Sequence, residues 1–534
     1  MEASQALPLG GPDSVGVVTP LGLRVSIASL TARLGSQKNF RRFLKTLIVT
    51  EKPQPGRPKA ARVCRFAYSS GAGFLYIPSV KIPTLLGHTL GRVYVDPAFA
   101  RARQLGGGIR RIPSERWIPT QAFYSYQSAA AEYLCRPAGP LGFGGVGVAY
   151  VQMGTGLGKT RLGLAVSARG RGPVFVVVPT EAIRLQWLDE FQAIFPQLRC
   201  APYNNPPKTS NKTAPHALSH DVVVGIINTV RAKKPGFFEG YSTVILDEAH
   251  ELHTPKNLNV LWLAQGVPRV LGLSATPDDR VDGLDRVVYH FLGAPIRAER
   301  DIPGLDMGNS FFAGRVREVE YSGHPDFCEA AISAAGTVSA IETIGTIIRD
   351  PARLRLVAAE IERVVRLHES EPPNSLLAFG LGPPPASAAS KKFSGVRSHG
   401  VFVFAEHREY LSVLRESLLE RFAPEDIEMP EMGCADADAP VVLRGGATRD
   451  QISRAHRARI VLTTYGYSRR GVSLVEMTAI VLATPRRNGM RQILGRITRR
   501  GSDESILRIV VDIKDVRTAL KSQSSDRRKV YIEK

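Results

Sequence analysis

Two short motifs, one rich in glycine and one acidic, constrain the fold of this 534-residue chain more than any other feature. The first is Met153–Thr160, where glycines let consecutive backbone N–H groups point toward phosphate oxygens. The second is Asp247–His250, which directly follows Val244–Leu246, an apolar run typical of a buried strand. A phosphate loop after one strand and a carboxylate pair after another predict a nucleoside triphosphate site at the edge of a parallel sheet.

Both motifs supply residue types that ATP hydrolysis requires. Lys159 provides a positive charge for the β and γ phosphates, and the Thr160 hydroxyl can ligate Mg²⁺. Asp247 would hold the metal through its water shell, and Glu248 would polarise the attacking water. We therefore expect an ATP-hydrolysing enzyme with ATP and Mg²⁺ as cofactors. The loop residues predicted to surround the phosphates are Gly154, Thr155, Gly156, Leu157, Gly158, Lys159 and Thr160.

Apolar runs alternate with helical segments over most of the chain, and they occur in two sets. Continuous apolar strands between helices predict a parallel sheet that is covered on both faces. We therefore predict an α/β protein with two tandem parallel-sheet domains that clamp a nucleotide. The first set is Val148–Val151, Val174–Val178, Val222–Val224, Ile226–Ile227, Val244–Leu246 and Val270–Leu273. The second set, without a phosphate loop, is Val401–Phe404, Ile460–Leu462, Ala479–Leu482 and Ile506–Val511.

Composition shifts along the chain predict four parts. Residues 1–20 are rich in Gly, Pro and Ser and are expected to form a flexible tail. Residues 21–112 are expected to form a small basic mixed α/β module, with strands at Gly73–Ile77 and Gly91–Val95. The ATP-binding domain is expected at 113–305, beginning with a helix from Tyr126 to Leu134, and the C-terminal domain at 306–534, with a low-complexity insertion at 371–399.

Cysteine usage and hydropathy favour a soluble intracellular protein. The five cysteines lie far apart without a CxxC pair, which argues against a zinc ribbon and a disulfide framework. Neither a basic start before an apolar stretch nor an apolar run of about 18 residues is present in the sequence. A reducing compartment is therefore expected, with the choice between cytoplasm and nucleus left open.

The net charge of +21 is concentrated at the two ends of the chain. Residues 1–120 contain 18 Lys/Arg and 5 Asp/Glu, and residues 486–534 contain 14 and 6. Clustered positive charge is typical of proteins that bind a polyphosphate partner, although excess lysine also serves solubility. Beside an ATP site, the charge favours nucleic acid as the partner.

An ordered set of motifs over roughly residues 115–520 resembles the superfamily 2 helicases and translocases. The order is more specific than any member, since Ser274–Thr276 alone is more typical of a strand end with a Ser/Thr turn. The resemblance implies two tandem RecA-like domains. The matching stretches are Gln127 (adenine contact), Gly156–Thr160 (motif I), Val178–Thr180 with Gln186–Trp187 (motif Ia), Asp247–His250 (motif II, DEAH type), Ser274–Thr276 (motif III), Gly471–Ser473 (motif V) and Gln492–Arg499 (motif VI).

The resemblance also implies functional residues outside the phosphate loop. Two arginines three apart are expected on one helical face, where domain closure would bring a guanidinium to the γ phosphate. Arg496 and Arg499 are these candidates, in an undecided order of roles, with Gln492 one turn earlier as a third catalytic residue. Coupling of hydrolysis to domain movement is expected of His250, Ser274 and Thr276. Contacts to the nucleic-acid backbone are expected of Pro179, Thr180, Thr463 and Thr464.

Two features depart from the simplest transfer of the family pattern. Arg469–Arg470 precede Gly471, where many superfamily members have an acidic pair, so no carboxylate contact is carried over there. Trp187 and Phe191 have the spacing of helical core residues rather than of base-stacking groups, and we leave both out of the binding site.

A closer resemblance is to the helicases of large DNA viruses, with the poxvirus transcript-release helicases as the nearest kind. It rests on Ser473–Asn488, Gln492–Arg499, Asp512, Arg527, Arg528 and Tyr531. It implies an ATP-dependent DNA helicase or translocase serving viral transcription termination, transcript release or repair. DNA is then the expected partner, RNA or an RNA–DNA hybrid and the transcription machinery remain open, and a viral protein would be found in the host cell and could enter the virion.

Two other functions are compatible with the motifs. The Asp247–His250 box also resembles spliceosomal RNA helicases, but the segment after Arg499 is shorter than their C-terminal extension, so DNA is favoured. An ATP-switched nucleic-acid-binding scaffold is the second alternative. Glu248, Arg496 and Arg499 argue against it, because a scaffold that only binds ATP does not need them.

Overall fold

The computed structural model describes most of the chain, with gaps. The described residues are 14–19, 22–52, 62–64, 67–69, 73–78, 92–95, 109–136, 140–141, 147–154, 156–204, 219–278, 283–305, 311–332, 336, 338–366, 377–380, 399–428, 455, 458–468, 477–487, 489–498, 502–503 and 506–532. The chain divides into two compact units. The first comprises Met1–Met153 and Gly158–Asp306, and the second comprises Gly154–Leu157 and Met307–Lys534.

The first unit begins with a small sheet packed against two helices. Strand order is β5-β6-β2-β1-β7, antiparallel except for the β1–β7 pair, and β3 pairs with β4 separately. Leu23, Val25, Leu30, Phe40 and Leu75 lie in the core between sheet and helices. The elements are β1 (Ser14–Thr19), β2 (Gly22–Ser26), α1 (Ile27–Arg33), α2 (Gln37–Thr46), β3 (Ile48–Thr50), β4 (Arg62–Cys64), β5 (Ala67–Ser69), β6 (Phe74–Ile77) and β7 (Arg92–Val95).

The remainder of the first unit is a seven-stranded, fully parallel sheet covered by helices. Its strand order is β10-β11-β9-β12-β13-β8-β14. Every residue of β9 is buried, as the continuous apolar run predicts. The elements are α3 (Ser125–Cys135), β8 (Val148–Gln152), α4 (Lys159–Gly170), β9 (Val174–Val178), α5 (Glu181–Ile194), β10 (Cys200–Pro202), β11 (Val222–Ile226), α6 (Ile227–Val230), β12 (Thr243–Leu246), α7 (Leu258–Leu263), β13 (Arg269–Ser274), α8 (Asp285–Leu292), β14 (Ile296–Arg297) and α9 (Ala298–Asp301).

One expectation for this sheet needs correction, and two of its strands were not predicted. Ile226 ends strand β11, but Ile227 already begins helix α6, so the second apolar pair is not a strand of its own. The edge strands β10 and β14 were not predicted, because three and two residues are too few to give a periodic signal.

The second unit contains another seven-stranded sheet, of order β16-β15-β21-β20-β17-β19-β18. All neighbours are parallel except β15 and β16. The elements are β15 (Phe311–Tyr321), α10 (Ala340–Ile347), α11 (Pro351–Val365), β16 (Leu377–Gly380), β17 (Gly400–Ala405), α12 (Arg408–Leu419), β18 (Ile427–Glu428), β19 (Ile460–Thr464), α13 (Tyr465–Ser468), β20 (Met477–Leu482), α14 (Met490–Leu494), β21 (Arg508–Asp515) and α15 (Ser522–Ile532).

A buried ion pair attaches the last helix to the second sheet. Arg527 on α15 lies 2.7 Å from Asp512 on β21, and both side chains are almost fully buried. Tyr531 donates a second hydrogen bond to Asp512, at 2.8 Å. Because a buried charge needs a partner, this pair fixes the position of α15.

The predicted fold class is confirmed: the protein is α/β, with two tandem RecA-like parallel-sheet domains preceded by a small basic α/β module. No described helix is long and apolar enough to span a membrane. Several predicted features lie outside the described residues. They are most of the tail at 1–20, Thr155, Arg469–Arg470, Gly471–Ser473, Arg499 and most of the insertion at 371–399.

Candidate nucleotide site

The glycine-rich loop connects strand β8 to helix α4. The Met153 N–H donates to the Ser274 carbonyl at 3.0 Å, which fixes the start of the loop beside the end of β13. Gly156 and Gly158 have φ values of 84° and 76°, in the left-handed region that favours glycine. Lys159 begins α4, so the first turn of a 12-residue helix follows directly on the loop. Unpaired N–H groups and the positive end of the helix dipole make such a terminus suited to phosphate.

Gln127 lies against this loop. Its side-chain Oε1 accepts from the Tyr124 N–H at 3.2 Å, and its Nε2 lies 3.5 Å from the Gly158 carbonyl. A Cβ on Gly158 would come within 2.4 Å of the same Nε2. A side chain at position 158 would displace the Gln127 amide, and the left-handed backbone there favours glycine in any case. The buried Gln127 side chain thus lies beside the predicted phosphate loop.

Asp247 stands at the end of β12 and is held by two donors. Its Oδ2 accepts from the Trp187 indole N–H at 2.7 Å, and its Oδ1 accepts from the Glu248 N–H at 2.9 Å. Burial and the charge of Glu248 raise the pKa of Asp247 to about 6, against the opposing effects of Trp187 and Lys159. A buried acidic pair of this kind is stabilised by a cation.

Glu248 has a strained backbone. Its φ of 47° is in the left-handed region, shared by only one other non-glycine residue in the described part of the chain, Arg171. Such a conformation costs on the order of 1–3 kcal/mol and is common at functional sites. Here it lies at the predicted water-activating residue.

His250 connects the acidic motif to the end of β13. Its Nδ1 lies 3.0 Å from the Ser274 Oγ and 3.3 Å from Glu248 Oε2. Burial alone would lower the pKa of His250, but the hydrogen bond and charge of Glu248 raise it. The Thr276 N–H donates to the same Ser274 Oγ at 3.1 Å, so this segment is also a Ser turn at a strand end. The three predicted coupling residues are thus in one hydrogen-bonded chain.

The donor set is suited to Mg²⁺ bound together with a nucleotide. No group of three or more His, Cys, Asp or Glu side chains that could hold a metal occurs among the described residues. Mg²⁺ does not need one, since it is usually bound by one or two carboxylates, waters and the substrate phosphates. The buried carboxylate of Asp247, with its raised pKa, fits that requirement.

The candidate residues of motif VI lie in the second unit, and one expectation about them is wrong. Gln492 is on helix α14, which ends at Leu494. Arg496 therefore lies in the turn after the helix, with its N–H bonded to the Ile493 carbonyl, and not on a helical face. Gly495, at the C-cap, has right-handed backbone angles, and Arg496 follows it.

The candidates for nucleic-acid contact follow strands in both units. Pro179 and Thr180 follow β9, and the Thr180 hydroxyl accepts from the Ile183 N–H at 3.5 Å as the N-cap of α5. Thr463 and Thr464 end β19, where Thr463 is buried and Thr464 is partly exposed. Each pair stands at the carboxyl end of a parallel strand, where ligands of such sheets bind.

Trp187 is the residue that the sequence prediction missed. The core assignment is confirmed, since Trp187 and Phe191 are 1% and 0% exposed, but Trp187 also holds Asp247. Gly163 on α4 makes room for it, since a Cβ there would lie 2.6 Å from the indole ring. The signal was its place in the Gln186–Trp187 pair of motif Ia, not its helical spacing.

A second missed network joins the loop strand to the residues after β13. Arg297 donates to Gln152 Oε1 at 3.1 Å and to Asp278 at 3.0 Å. Gln152 in turn donates to the Ala275 carbonyl at 3.5 Å. These bonds hold the start of the glycine-rich loop and the motif III segment in a fixed relation.

Comparison with known proteins places this geometry in a family. The family model for the res subunit of type III restriction enzymes matches residues 122–279. A protein of African swine fever virus, Tick/Malawi isolate, provisionally named an ATP-dependent RNA helicase, is 38% identical over 515 residues, or 96% of this chain and 90% of that protein. Its counterpart from the Warthog/Namibia isolate is 37% identical over 520 residues, or 97% and 90%.

Among solved structures, the crystal structure of T4 UvsW aligns with 93% of this chain and 94% of its own, at 15% identity and a TM-score of 0.33. The full-length similarity to the viral proteins is the stronger finding, because it extends over nearly all of both chains at more than twice that identity. The chain therefore belongs to the family of these African swine fever virus proteins and is an ATP-dependent helicase of superfamily 2.

Proposed function

We propose that the protein is a DNA helicase or translocase that couples ATP hydrolysis to movement on, or unwinding of, DNA. The observation that carries the proposal is the chain of polar contacts from Trp187 through Asp247 and Glu248 to His250 and Ser274. It links the groups that would handle the metal and water to the segment expected to transmit hydrolysis into movement.

The proposed roles follow the chemistry of each group. Lys159 neutralises the β and γ phosphates, and Thr160 and Asp247 hold Mg²⁺, which supplies charge stabilisation when bound. Glu248 orients and polarises the attacking water. From the C-terminal domain, Arg496 and Arg499 stabilise the transferring charge and Gln492 orients the water or the arginines. Gln127 is proposed to contact adenine.

The nucleic-acid path is proposed to run along the strand ends that carry Pro179 and Thr180 in the ATP-binding domain and Thr463 and Thr464 in the C-terminal domain. Backbone contacts of this kind do not read sequence, as a motor that steps over any base requires. We further propose that the domains correspond to 21–112, 113–305 and 306–534.

DNA is the first candidate substrate for two reasons. The matched family model describes a subunit of a restriction enzyme, and the motif order resembles viral transcript-release helicases. On that resemblance we propose a role in transcription termination or transcript release. Incubation with stalled elongation complexes tests it: ATP-dependent release of the transcript is expected, and retention of the transcript would contradict this role.

RNA is the second candidate substrate, favoured by the names of the viral relatives, which are provisionally called RNA helicases. The residues proposed for ATP hydrolysis serve a DNA helicase and an RNA helicase equally. Contacts to the nucleic-acid backbone also dominate the binding of both DNA and RNA, so they do not distinguish the two substrates.

ATP turnover measured with matched DNA and RNA strands, single and duplex, decides between the candidates. We expect DNA to stimulate hydrolysis at low salt more than RNA of the same sequence. Greater stimulation by RNA would transfer the function to the second candidate. The control is Lys159→Ala, which should abolish turnover while the protein remains folded, and unchanged turnover in that variant would contradict the site assignment.

A further inference from the structure

The N-terminal module carries a strongly basic helix face. Helix α2, Gln37–Thr46, begins at the N-cap Ser36, whose hydroxyl accepts from the Asn39 N–H at 3.1 Å. Its cations are Lys38, Arg41, Arg42 and Lys45, spaced i, i+3, i+4 and i+7. This spacing places all four on one side of a helix.

The opposite side of α2 is anchored in the module core. Phe40 is 4% exposed and packs with Leu30, Leu47 and Leu75, and Leu44 lies partly buried against the same cluster. The helix is therefore held in one orientation, with its apolar side inward and its basic side outward.

The four cations are available to an external partner. Each is exposed, and none forms an ion pair with another described residue, whereas Arg110 and Arg116, further along the first unit, are paired with Asp221. Helix α2 contains no acidic residue. Holding four like charges together without a counter-charge costs free energy, which an anionic partner would recover.

We propose that this face, defined by Lys38, Arg41, Arg42 and Lys45, binds the phosphate backbone of a DNA duplex. The proposal rests on the proposed DNA motor function and adds a contact outside the two RecA-like domains. Seven residues of helix span about 10 Å at 1.5 Å per residue. On one strand of B-DNA that length covers about three phosphates, which are 3.4 Å apart along the axis.

The module is packed against the ATP-binding domain, so a duplex held there would be fixed relative to the nucleotide site of that unit. Val49 on β3, just after α2, is buried against Leu284 and Val287 beside and on α8. The hydroxyl of Tyr289, on the same helix, donates to the carboxylate of Asp278 and lies 3.3 Å from the carbonyl of Pro277, the residue that follows the motif III segment. The basic face of α2 is thereby connected, through contacts of β3 and α8, to the motif III segment Ser274–Thr276.

The salt dependence of duplex binding tests the proposal on the full-length protein. A fluorescently labelled 30-base-pair duplex is titrated by anisotropy with wild type and with Arg41→Ala/Arg42→Ala. Each lost phosphate contact makes the slope of log K against log salt shallower by about 0.9, so we expect a change of about 2. If the variant and wild type bind the duplex equally at 1 M salt, the variant should bind it roughly 60-fold more weakly than wild type at 0.1 M salt.

The matched control is Arg349→Ala/Arg355→Ala, which removes two exposed charges from the second unit instead. It should leave the slope within about 0.5 of wild type, and ATP turnover without DNA should be unchanged in both variants. Equal slopes for the two double variants would overturn the proposal and would point to an acidic protein as the partner of α2. Failure of the proposed function is separate, since wild type itself would then neither bind the duplex nor be stimulated by it.

Discussion

Replacing Trp187 by phenylalanine removes the indole N–H that donates to Asp247 Oδ2 at 2.7 Å. An aromatic ring is retained, so the change acts mainly on the hydrogen bond and leaves a small cavity where the outer part of the indole's six-membered ring was. Asp247 would keep the Glu248 N–H as a donor, at 2.9 Å.

The size of the effect follows from the burial of both partners. Trp187 is 1% exposed and Asp247 is 7% exposed, so water cannot readily replace the lost donor. A hydrogen bond to a charged group contributes about 1.5–3 kcal/mol. If that free energy positions the carboxylate for the metal, Mg²⁺-nucleotide affinity should fall by roughly 10- to 100-fold, since about 1.4 kcal/mol is tenfold.

Two measurements follow the effect: the Mg²⁺ concentration for half-maximal ATP turnover, and the Mg²⁺ dependence of equilibrium binding of a fluorescent ADP analogue. Both should shift to higher Mg²⁺ in Trp187→Phe. The second does not depend on catalysis, so it separates a loss of metal binding from a loss of turnover.

Trp117→Phe is the matched control, because the Trp117 indole N–H is buried and has no hydrogen-bond partner among the described residues. The same substitution there creates a similar cavity without removing a bond. We expect a comparable loss of thermal stability and no change in Mg²⁺ dependence. If Trp187→Phe and Trp117→Phe needed the same Mg²⁺ concentration for half-maximal turnover and for nucleotide binding, the role given to Trp187 would be refuted.

Three further predictions concern chemistry, acid stability and the second core. Glu248→Gln should lower turnover by about 10²- to 10⁴-fold and retain Mg²⁺-nucleotide binding, as measured by rapid-quench and equilibrium titration; unreduced turnover would exclude Glu248 as the water-activating group. Burial and Arg508 lower the pKa of His399 to about 4, so His399 binds a proton at a higher pH in the unfolded chain than in the folded protein. Stability should therefore be fully present above about pH 6.5 and decline by about 3 kcal/mol toward pH 4, and denaturant titrations should show a weaker decline in His399→Gln. Arg527→Met should cost about 3–5 kcal/mol in the same titrations by leaving a buried charge unpaired, and a loss below 1 kcal/mol would show that the pair is dispensable.

The parallel sheets and the backbone of the glycine-rich loop could be predicted because their sequence signals are local. The fully buried strand β9, Val174–Val178, is one continuous run of apolar residues. The glycines with positive φ at 156 and 158 and the helix that starts at Lys159 likewise follow from adjacent residues. Signals of this kind are strong because backbone geometry dictates the residue type directly.

Strand β15, Phe311–Tyr321, could not be predicted in the same way. Charged residues occupy alternating and adjacent positions along its C-terminal half, including Arg315, Arg317, Glu318 and Glu320. That pattern is typical of a solvent-exposed segment, yet the segment pairs with β21 over eight positions and with β16 over four. Its strand conformation is set by pairing with distant residues rather than by its own hydrophobicity.

The candidate site also contains residues that local sequence signals predict and contacts that depend on distant residues. Asp247 and Glu248 were identified from their motif, whereas the bond from Trp187 joins residues 60 positions apart and depends on how α5 packs beside β12. The helical spacing of Trp187 and Phe191 correctly predicted burial but carried no information about the indole N–H. For Arg496, the spacing of the two arginines suggested a helical face, but helix α14 ends at Leu494, two residues before Arg496.

Strand displacement is the most direct test of the central claim that ATP hydrolysis drives movement on nucleic acid. A forked DNA duplex with a labelled strand is incubated with the wild-type protein and ATP, with a non-hydrolysable ATP analogue, or with Glu248→Gln and ATP. We predict displacement only in the first reaction and at a rate that follows ATP turnover. Equal displacement with the analogue and with ATP would contradict that claim. So would active ATP turnover with neither displacement nor translocation on any DNA or RNA substrate.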